Sequence, residues 1–235
     1  MPETTPLLAV LIDADNAPAK YAHALFKEIA AIGEASVRRI YGDFSSQNMN
    51  GWAAVQAELG LVPHQAPAYT KGKNSSDIAL VIDAMDLMHT ARFDGFVLVS
   101  SDSDFTRLAS RLREQGLEVY GMGEQKTPAA FRSVCKRFII LENLLEPEPE
   151  ATGAKKPDVK KPAEARNLIL QVMDNIEQDD EWYGMGVIGQ RLIANNPDFD
   201  TRSYGKKRLS DLVEALKGFE TRRDKNNQLQ MRRVK

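Results

Sequence analysis

Up to residue 145 the chain alternates short, wholly apolar runs with longer segments whose apolar residues recur every three or four positions. The runs Leu7–Asp13, Ser36–Tyr41, Leu61–Gln65, Gly95–Ser100, Leu117–Gly121 and Phe138–Leu141 predict strands. Between them, Ala19–Ile32 puts Tyr21, Leu25, Ile29 and Ile32 on one side and predicts a helix. Trp52–Leu59 predicts a short helix, Asp77–Met88 a strongly apolar one, and Phe105–Gln115, with Phe105, Leu108 and Leu112, a fourth. Apolar strands that alternate with helices build a parallel sheet covered on both faces. In such an α/β sheet, functional side chains collect at the carboxyl ends of the strands, near the point where strand order reverses.

The pattern then stops. From Glu146-Pro147-Glu148-Pro149-Glu150 through Pro162 there is almost no large apolar residue, so the stretch cannot bury enough surface to order itself. It predicts a linker over 146–163 between domains at 1–145 and 164–235. Beyond it, Leu168, Leu170, Val172, Met173 and Ile176 mark one helix, Val187–Ala194 a second and Lys206–Leu216 a third. Gly218–Arg223, the turn Asp224-Lys225-Asn226-Asn227 and Gln228–Arg233 read as strand, turn and strand. Three helices closed by a hairpin make a small winged-helix α+β domain.

Charge narrows the function classes. Residues 1–145 carry 14 Lys and Arg against 17 Asp and Glu, and residues 165–235 carry 13 against 11. With a net charge of −2, the chain as a whole does not attract a polyanion, and phosphate binding must come from local patches or bound cations. The single cysteine, Cys135, excludes an internal disulfide and a thiolate zinc site, and a reducing cytoplasmic setting is expected. Met1-Pro2-Glu3-Thr4-Thr5 has no positive region, and Leu7–Ile12 is too short for a membrane span; no membrane association is expected.

Two acidic clusters fall at predicted strand ends: Asp13-Ala14-Asp15-Asn16, and Ser100-Ser101-Asp102-Ser103-Asp104-Phe105. Carboxylates this close repel one another unless a cation neutralises them or protonation removes a charge, and a metal is the simpler solution. A third contribution is Lys71-Gly72-Lys73-Asn74-Ser75-Ser76-Asp77, where Ser75 or Ser76 caps a helix and Asp77 sits in its first turn. Asp77 reads either as a ligand or as a partner of the helix dipole. Asp83 lies about 240° around the helix from Asp77, so it serves the same ion only by orienting a neighbour. Lys71 and Lys73 read equally as phosphate contacts or as solvated loop lysines. For His23 and His89 in predicted helices and His64 in a strand, packing or surface roles are expected.

These residues, in this order, resemble the NYN domain, a branch of the PIN-like nucleases. The matching pieces are Ile12-Asp13-Ala14-Asp15-Asn16, the segment from Lys73 through Ser76-Asp77 to Asp83, and Ser100 through Phe105. The resemblance covers about residues 6–145. It implies a three-layer α/β/α, Rossmann-like fold and a ribonuclease using Mg²⁺ or Mn²⁺. Carried over by position, Asp13, Asp77, Asp102 and Asp104 are the metal-site carboxylates. Asn16 becomes a contact to substrate or water, Ser100 a polar brace beneath the site, and Asp15 and Asp83 second-tier members. The metal in that chemistry activates a coordinated water and neutralises the phosphate.

Residues 164–235 resemble the OST-HTH/LOTUS domain through Trp182, Gly186-Val187-Ile188-Gly189, Asn196-Pro197-Asp198-Phe199-Asp200, Tyr204-Gly205, Leu209-Ser210-Asp211-Leu212 and Phe219-Glu220. The resemblance implies binding to RNA or to a protein partner. In this reading Lys206, Lys207 and Arg208, with Arg222, Arg223, Arg232 and Arg233 on the hairpin, meet phosphates. The plainer reading is that basic residues on edge strands discourage aggregation. Trp182, Phe199, Tyr204 and Phe219 are expected in the core. Two alternatives stand beside the nuclease: a haloacid-dehalogenase-like phosphatase using Asp13 and Asp15, which Asn16 argues against, and a non-catalytic RNA-binding scaffold.

Overall fold

A computed structural model of the protein describes residues 5–65, 75–145, 160–178 and 180–234. The chain divides into two compact units, Met1–Glu146 and Pro147–Lys235.

In the first unit, β1 (Leu7–Asp13) leads through a 3-10 turn to α1 (Ala22–Ala30) and β2 (Glu34–Gly42). Next come α2 (Asn50–Val55), β3 (Val62–Gln65), α3 (Ser75–His89) and β4 (Gly95–Val99). The unit closes with α4 (Thr106–Glu114), β5 (Glu118–Gly123), α5 (Ala129–Val134) and β6 (Arg137–Ile140). The six strands are parallel in the order β3-β2-β1-β4-β5-β6. Strand order therefore reverses between β1 and β4.

The three layers follow from strand alternation, because successive side chains point to opposite faces. Leu8, Val10 and Ile12 of β1 pack with Leu25 and Ile29 of α1 and Trp52 of α2. Ala9 and Leu11 pack with Leu80, Ala84 and Leu87 of α3 and Leu108 and Leu112 of α4. Both faces of β1 and β4 are thus covered, which is why their sequences are apolar without alternation. Gly123 permits a close approach: a Cβ there would stand 2.5 Å from the carbonyl oxygen of Ser100. Helix α5 was not expected from the pattern. At six residues it is too short to show a period, and it is fixed by Phe131 packing edge-on to Phe138.

The second unit contains α6 (Pro162–Asp174), β7 (Tyr183–Gly184), α7 (Met185–Asn195), α8 (Leu209–Ala215), β8 (Phe219–Arg223) and β9 (Leu229–Arg233). The hairpin acquires a third strand, giving the antiparallel order β7-β9-β8. Ile169, Val172, Ile188, Leu192, Leu212, Val213 and Met231 form its core. Helix α6 begins inside the stretch expected to be linker. Pro162 occupies the first turn, where a missing N–H costs nothing, and the Lys160 N–H donates to the Ser203 carbonyl. Residues 146–159 of that expected linker lie outside the described residues. The third helix starts at Leu209 rather than at Lys206, because Gly205 takes a left-handed φ of 71° and Arg208 is extended. Among the described residues, no helix is long and apolar enough to cross a membrane.

Candidate active site

Asp13 ends β1 on the same side as Leu11, so its side chain faces the α3 and α4 layer. The β1–β4 register pairs Ile12 with Val99, which brings Asp13 level with Ser100 at the switch point. Asp13 is fully buried. Its Oδ2 accepts from Ser100 Oγ at 2.6 Å and from Asn16 Nδ2 at 2.9 Å. Its Oδ1 accepts from the backbone N–H groups of Asp15 and Asn16 at 3.2 and 3.3 Å. Burial raises the Asp13 pKa, and the hydrogen bonds from Ser100 and Asn16 oppose that rise.

Ser100 is buried and connects the two acidic strand ends: while its hydroxyl donates to Asp13, the same oxygen accepts from the Asp102 N–H at 3.0 Å. Asp102 caps the turn Ser103–Phe105 by accepting from the Asp104 N–H at 2.9 Å. Asp104 is exposed. Asp77, in the first turn of α3, has its pKa pushed up to about 6. Burial is the largest cause, followed by the charges of Asp13, Asp102, Asp15 and Asp104. The fold therefore gathers the four expected carboxylates into one repelling group, with Asp15 as a fifth member. Lys71 and Lys73 lie outside the described residues.

Ser76 does something other than cap α3: its hydroxyl donates to Asp15 Oδ2 at 3.0 Å, fastening the helix start to the β1 loop. Asp83 turns away from the cluster. Its Oδ2 accepts from Tyr41 Oη at 2.7 Å and lies 3.0 Å from Arg39 Nη1 and 3.2 Å from His64 Nδ1. Tyr41 is the β2 partner of Asp13, so Asp83 ties α3 to the strands beside the site. His64 thus has a carboxylate neighbour in Asp83, a contact its sequence position does not reveal.

All donors in the cluster are hard carboxylate oxygens, the set that suits Mg²⁺ or Mn²⁺. The set is not preassembled: among the described residues, no three His, Cys, Asp or Glu side chains are spaced to hold an ion. Asp13 already accepts four hydrogen bonds, about the capacity of a carboxylate, so a cation taking one of its oxygens must displace a donor. The exposed Asn16 amide is the side chain that can move most cheaply.

Sequence reasoning missed Glu124, which follows the end of β5, donates its backbone N–H to Ser101 Oγ at 3.0 Å, and pairs with Lys126 at 2.6 Å. An acidic residue just past a parallel strand was the available signal. In the second unit, several of the basic residues expected to meet phosphates have partners of their own. Arg208 pairs with Asp211, Arg222 donates to Gln230 and Arg223 to Asn227, and Arg232 pairs with Glu220 and Glu181. Arg222 and Arg232 also stack on Trp182, at 4.0 and 4.8 Å from its ring centroid, so Trp182 is half-buried by guanidinium groups rather than by core. Lys206, Lys207 and Arg233 complete the group expected to meet phosphates; Lys207 and Arg233 are exposed.

Comparison with known proteins follows the same division. The NYN domain matches residues 7–142, and the OST-HTH/LOTUS domain matches residues 160–230. No curated protein matches. A Vibrio parahaemolyticus protein of unknown function, known from a crystal structure, aligns with a TM-score of 0.50 at 17% identity, over 60% of this chain and 95% of that chain. At that identity the likeness shows the fold alone. A solution structure of an uncharacterized protein from Nitrosomonas europaea is 29% identical over 39% of this chain and 90% of that chain, with a TM-score of 0.29.

Proposed function

Because the chain belongs to the NYN domain family and carries an OST-HTH/LOTUS domain behind it, we propose that it is a divalent-metal-dependent ribonuclease of the cytoplasm whose C-terminal domain captures RNA. The observation that carries the reading is the meeting of two acidic strand ends at the switch point, where the Ser100 hydroxyl joins buried Asp13 to the Asp102 backbone, with the raised pKa of Asp77 in accord with it. Like charges held together are relieved by a bound cation or by protonation, and the family match favours the cation.

Asp13, Asp77, Asp102 and Asp104 would hold Mg²⁺ or Mn²⁺. The bound ion supplies a water of lowered pKa and a positive charge against the phosphate. The chain's own residues do the rest. Ser100 fixes Asp13 and the Asp102 backbone relative to each other through one hydroxyl. Asn16 holds Asp13 in the resting state and can turn its amide to substrate. Ser76 and Asp83 hold α3, and with it Asp77, against the repulsion of the cluster.

The scaffold alternative, an RNA binder without turnover, draws on one observation: the carboxylates are not spaced as a ready site. The family match gives the phosphatase alternative no support. The test is RNA cleavage by the doubly substituted Asp13→Asn, Asp102→Asn protein, purified free of contaminating nuclease. The nuclease reading expects no cleavage with the fold retained; cleavage at the wild-type rate would end it.

A further inference from the structure

The turn between β5 and α5 is fastened at both ends. Its closing residue, Thr127, is fully buried, although a buried hydroxyl is costly unless it is hydrogen-bonded. Both donors of Thr127 go to one acceptor: its N–H reaches the Glu124 carbonyl at 2.9 Å and its hydroxyl reaches the same oxygen at 2.6 Å. The Thr127 carbonyl accepts from Arg132 Nε at 2.8 Å, which ties the turn to α5. At the other end, the β4–β5 register pairs Val99 with Met122, so Gly123 and Glu124 come level with Ser100 and Ser101. There the Ser100 N–H donates to the Met122 carbonyl at 2.9 Å, and the Glu124 N–H donates to Ser101 Oγ at 3.0 Å. Gly123 lies so close that an added Cβ would stand 2.5 Å from the Ser100 carbonyl oxygen and 2.7 Å from Thr127 Oγ1.

We infer that this turn, residues 123–127, is a positioning element of the carboxylate cluster, and that the Thr127 hydroxyl sets where Asp102 stands. The inference rests on the nuclease reading, in which Asp102 holds the metal. Asp102 follows directly on Ser100 and Ser101, both buried, and its own N–H is held by Ser100 Oγ at 3.0 Å. Its charge repels that of Asp77 across the site, so it keeps its place only as firmly as the backbone behind it is held. On one side Ser100 joins that backbone to Asp13, and on the other the turn backs Ser100 and Ser101. Thr127 supplies no ligand; it acts through the Glu124 backbone and Ser101. The turn thus does for Asp102 what Ser76 and Asp83 do for Asp77. Supporting hydrogen bonds of this kind commonly set how well a metal is held.

The test uses the full chain labelled with ¹⁵N and two substitutions that separate position from packing. Thr127→Val keeps the volume of the side chain and removes its hydroxyl, whereas Thr127→Ser keeps the hydroxyl and removes a methyl group. In EDTA, the amide signal of Asp102 should shift in Thr127→Val and stay near its wild-type position in Thr127→Ser. Mn²⁺ affinity, read from the paramagnetic resonance of the free ion, should fall about 3- to 10-fold in Thr127→Val and recover in Thr127→Ser, a smaller loss than at Ser100, which touches a ligand itself. Ile29→Val, which thins the core on the α1 face, should lower the melting temperature and leave Mn²⁺ affinity unchanged. An Asp102 amide that stays in place in Thr127→Val overturns the inference. So does a Thr127→Val protein that binds Mn²⁺ as wild type does, or an affinity that follows the melting temperature across all three variants. A displaced Asp102 amide in a protein whose wild type binds no Mn²⁺ supports the brace and counts against the metal-dependent nuclease reading instead.

Discussion

The switch point of the first unit and the surface of the second treat their charges in opposite ways. At the switch point, burial and then the charges of four other aspartates raise the pKa of Asp77, and the hydrogen bonds present are ones that hold carboxylates in place. On the C-terminal unit, charges find opposite charges: Arg202 with Asp200, Arg208 with Asp211, Arg232 with Glu220. An arrangement that repels itself is relieved by a bound cation or by a proton, whereas a surface whose charges are mutually satisfied gains less from a partner. On the proposed function the first is where a cation would bind, and the second keeps a small domain's charges paired.

The largest effect expected from that contrast is at Asp102. Replacing it with Asn should lower cleavage about 10³-fold or more, as expected when a metal's charge stabilisation is lost. Asn can still cap the Ser103–Phe105 turn, and one repelling charge is gone. The melting temperature of the metal-free variant should therefore hold or rise, and a fall would show that Asp102 is structural. Next in size is Ser100→Ala, which removes the hydroxyl joining Asp13 to the Asp102 backbone. A loss of about 10- to 100-fold in activity or metal affinity is expected, measured by a Mn²⁺ titration.

The pH dependence comes third. The pKa of Asp77 is raised, so its contribution to the stability of the metal-free protein is fully present below the ordinary carboxylate value and is lost as pH rises through about 6. Mn²⁺ competes with that proton, so its affinity should climb through the same window and level off above it. Asp77→Asn should flatten both profiles, which melting curves against pH with and without Mn²⁺ would show. The smallest effects belong to the second unit. Arg232→Ala should change RNA affinity less than Lys206→Ala, since Arg232 already pairs with Glu220 and Glu181. Loss of a real phosphate contact should lower the salt dependence of binding by about one counterion, read from affinity against salt.

How much of this was legible in the sequence depended on range. The strands of the first unit and the acidic ends of β1 and β4 were readable because a doubly covered parallel sheet writes itself as short apolar runs, and its carboxyl ends are where polar residues interrupt them. The grouping of Asp13 with Ser100 follows from the β1–β4 register, which no local pattern states. The partners of Asp83 come from β2 and β3, and the Ser76–Asp15 contact joins residues 61 apart, so neither has a local signature. A helical wheel correctly set Asp83 apart from Asp77 without showing what it meets. β7 is two residues long and exists only through its pairing with β9, beneath what hydrophobic periodicity can resolve. A cleft of about 360 Å³ beside the same strand ends was unreadable for a similar reason, because its lining comes from three stretches: residues 14–19, residues 48–52, and Glu124 with Lys126.

The most direct measurement is cleavage of labelled single-stranded and structured RNA by wild type and Asp102→Asn, each with Mn²⁺, with Mg²⁺ and with EDTA. The account predicts cutting by wild type with either metal, none in EDTA and none by the variant. Cutting that survives EDTA, or that Asp102→Asn retains, would contradict it.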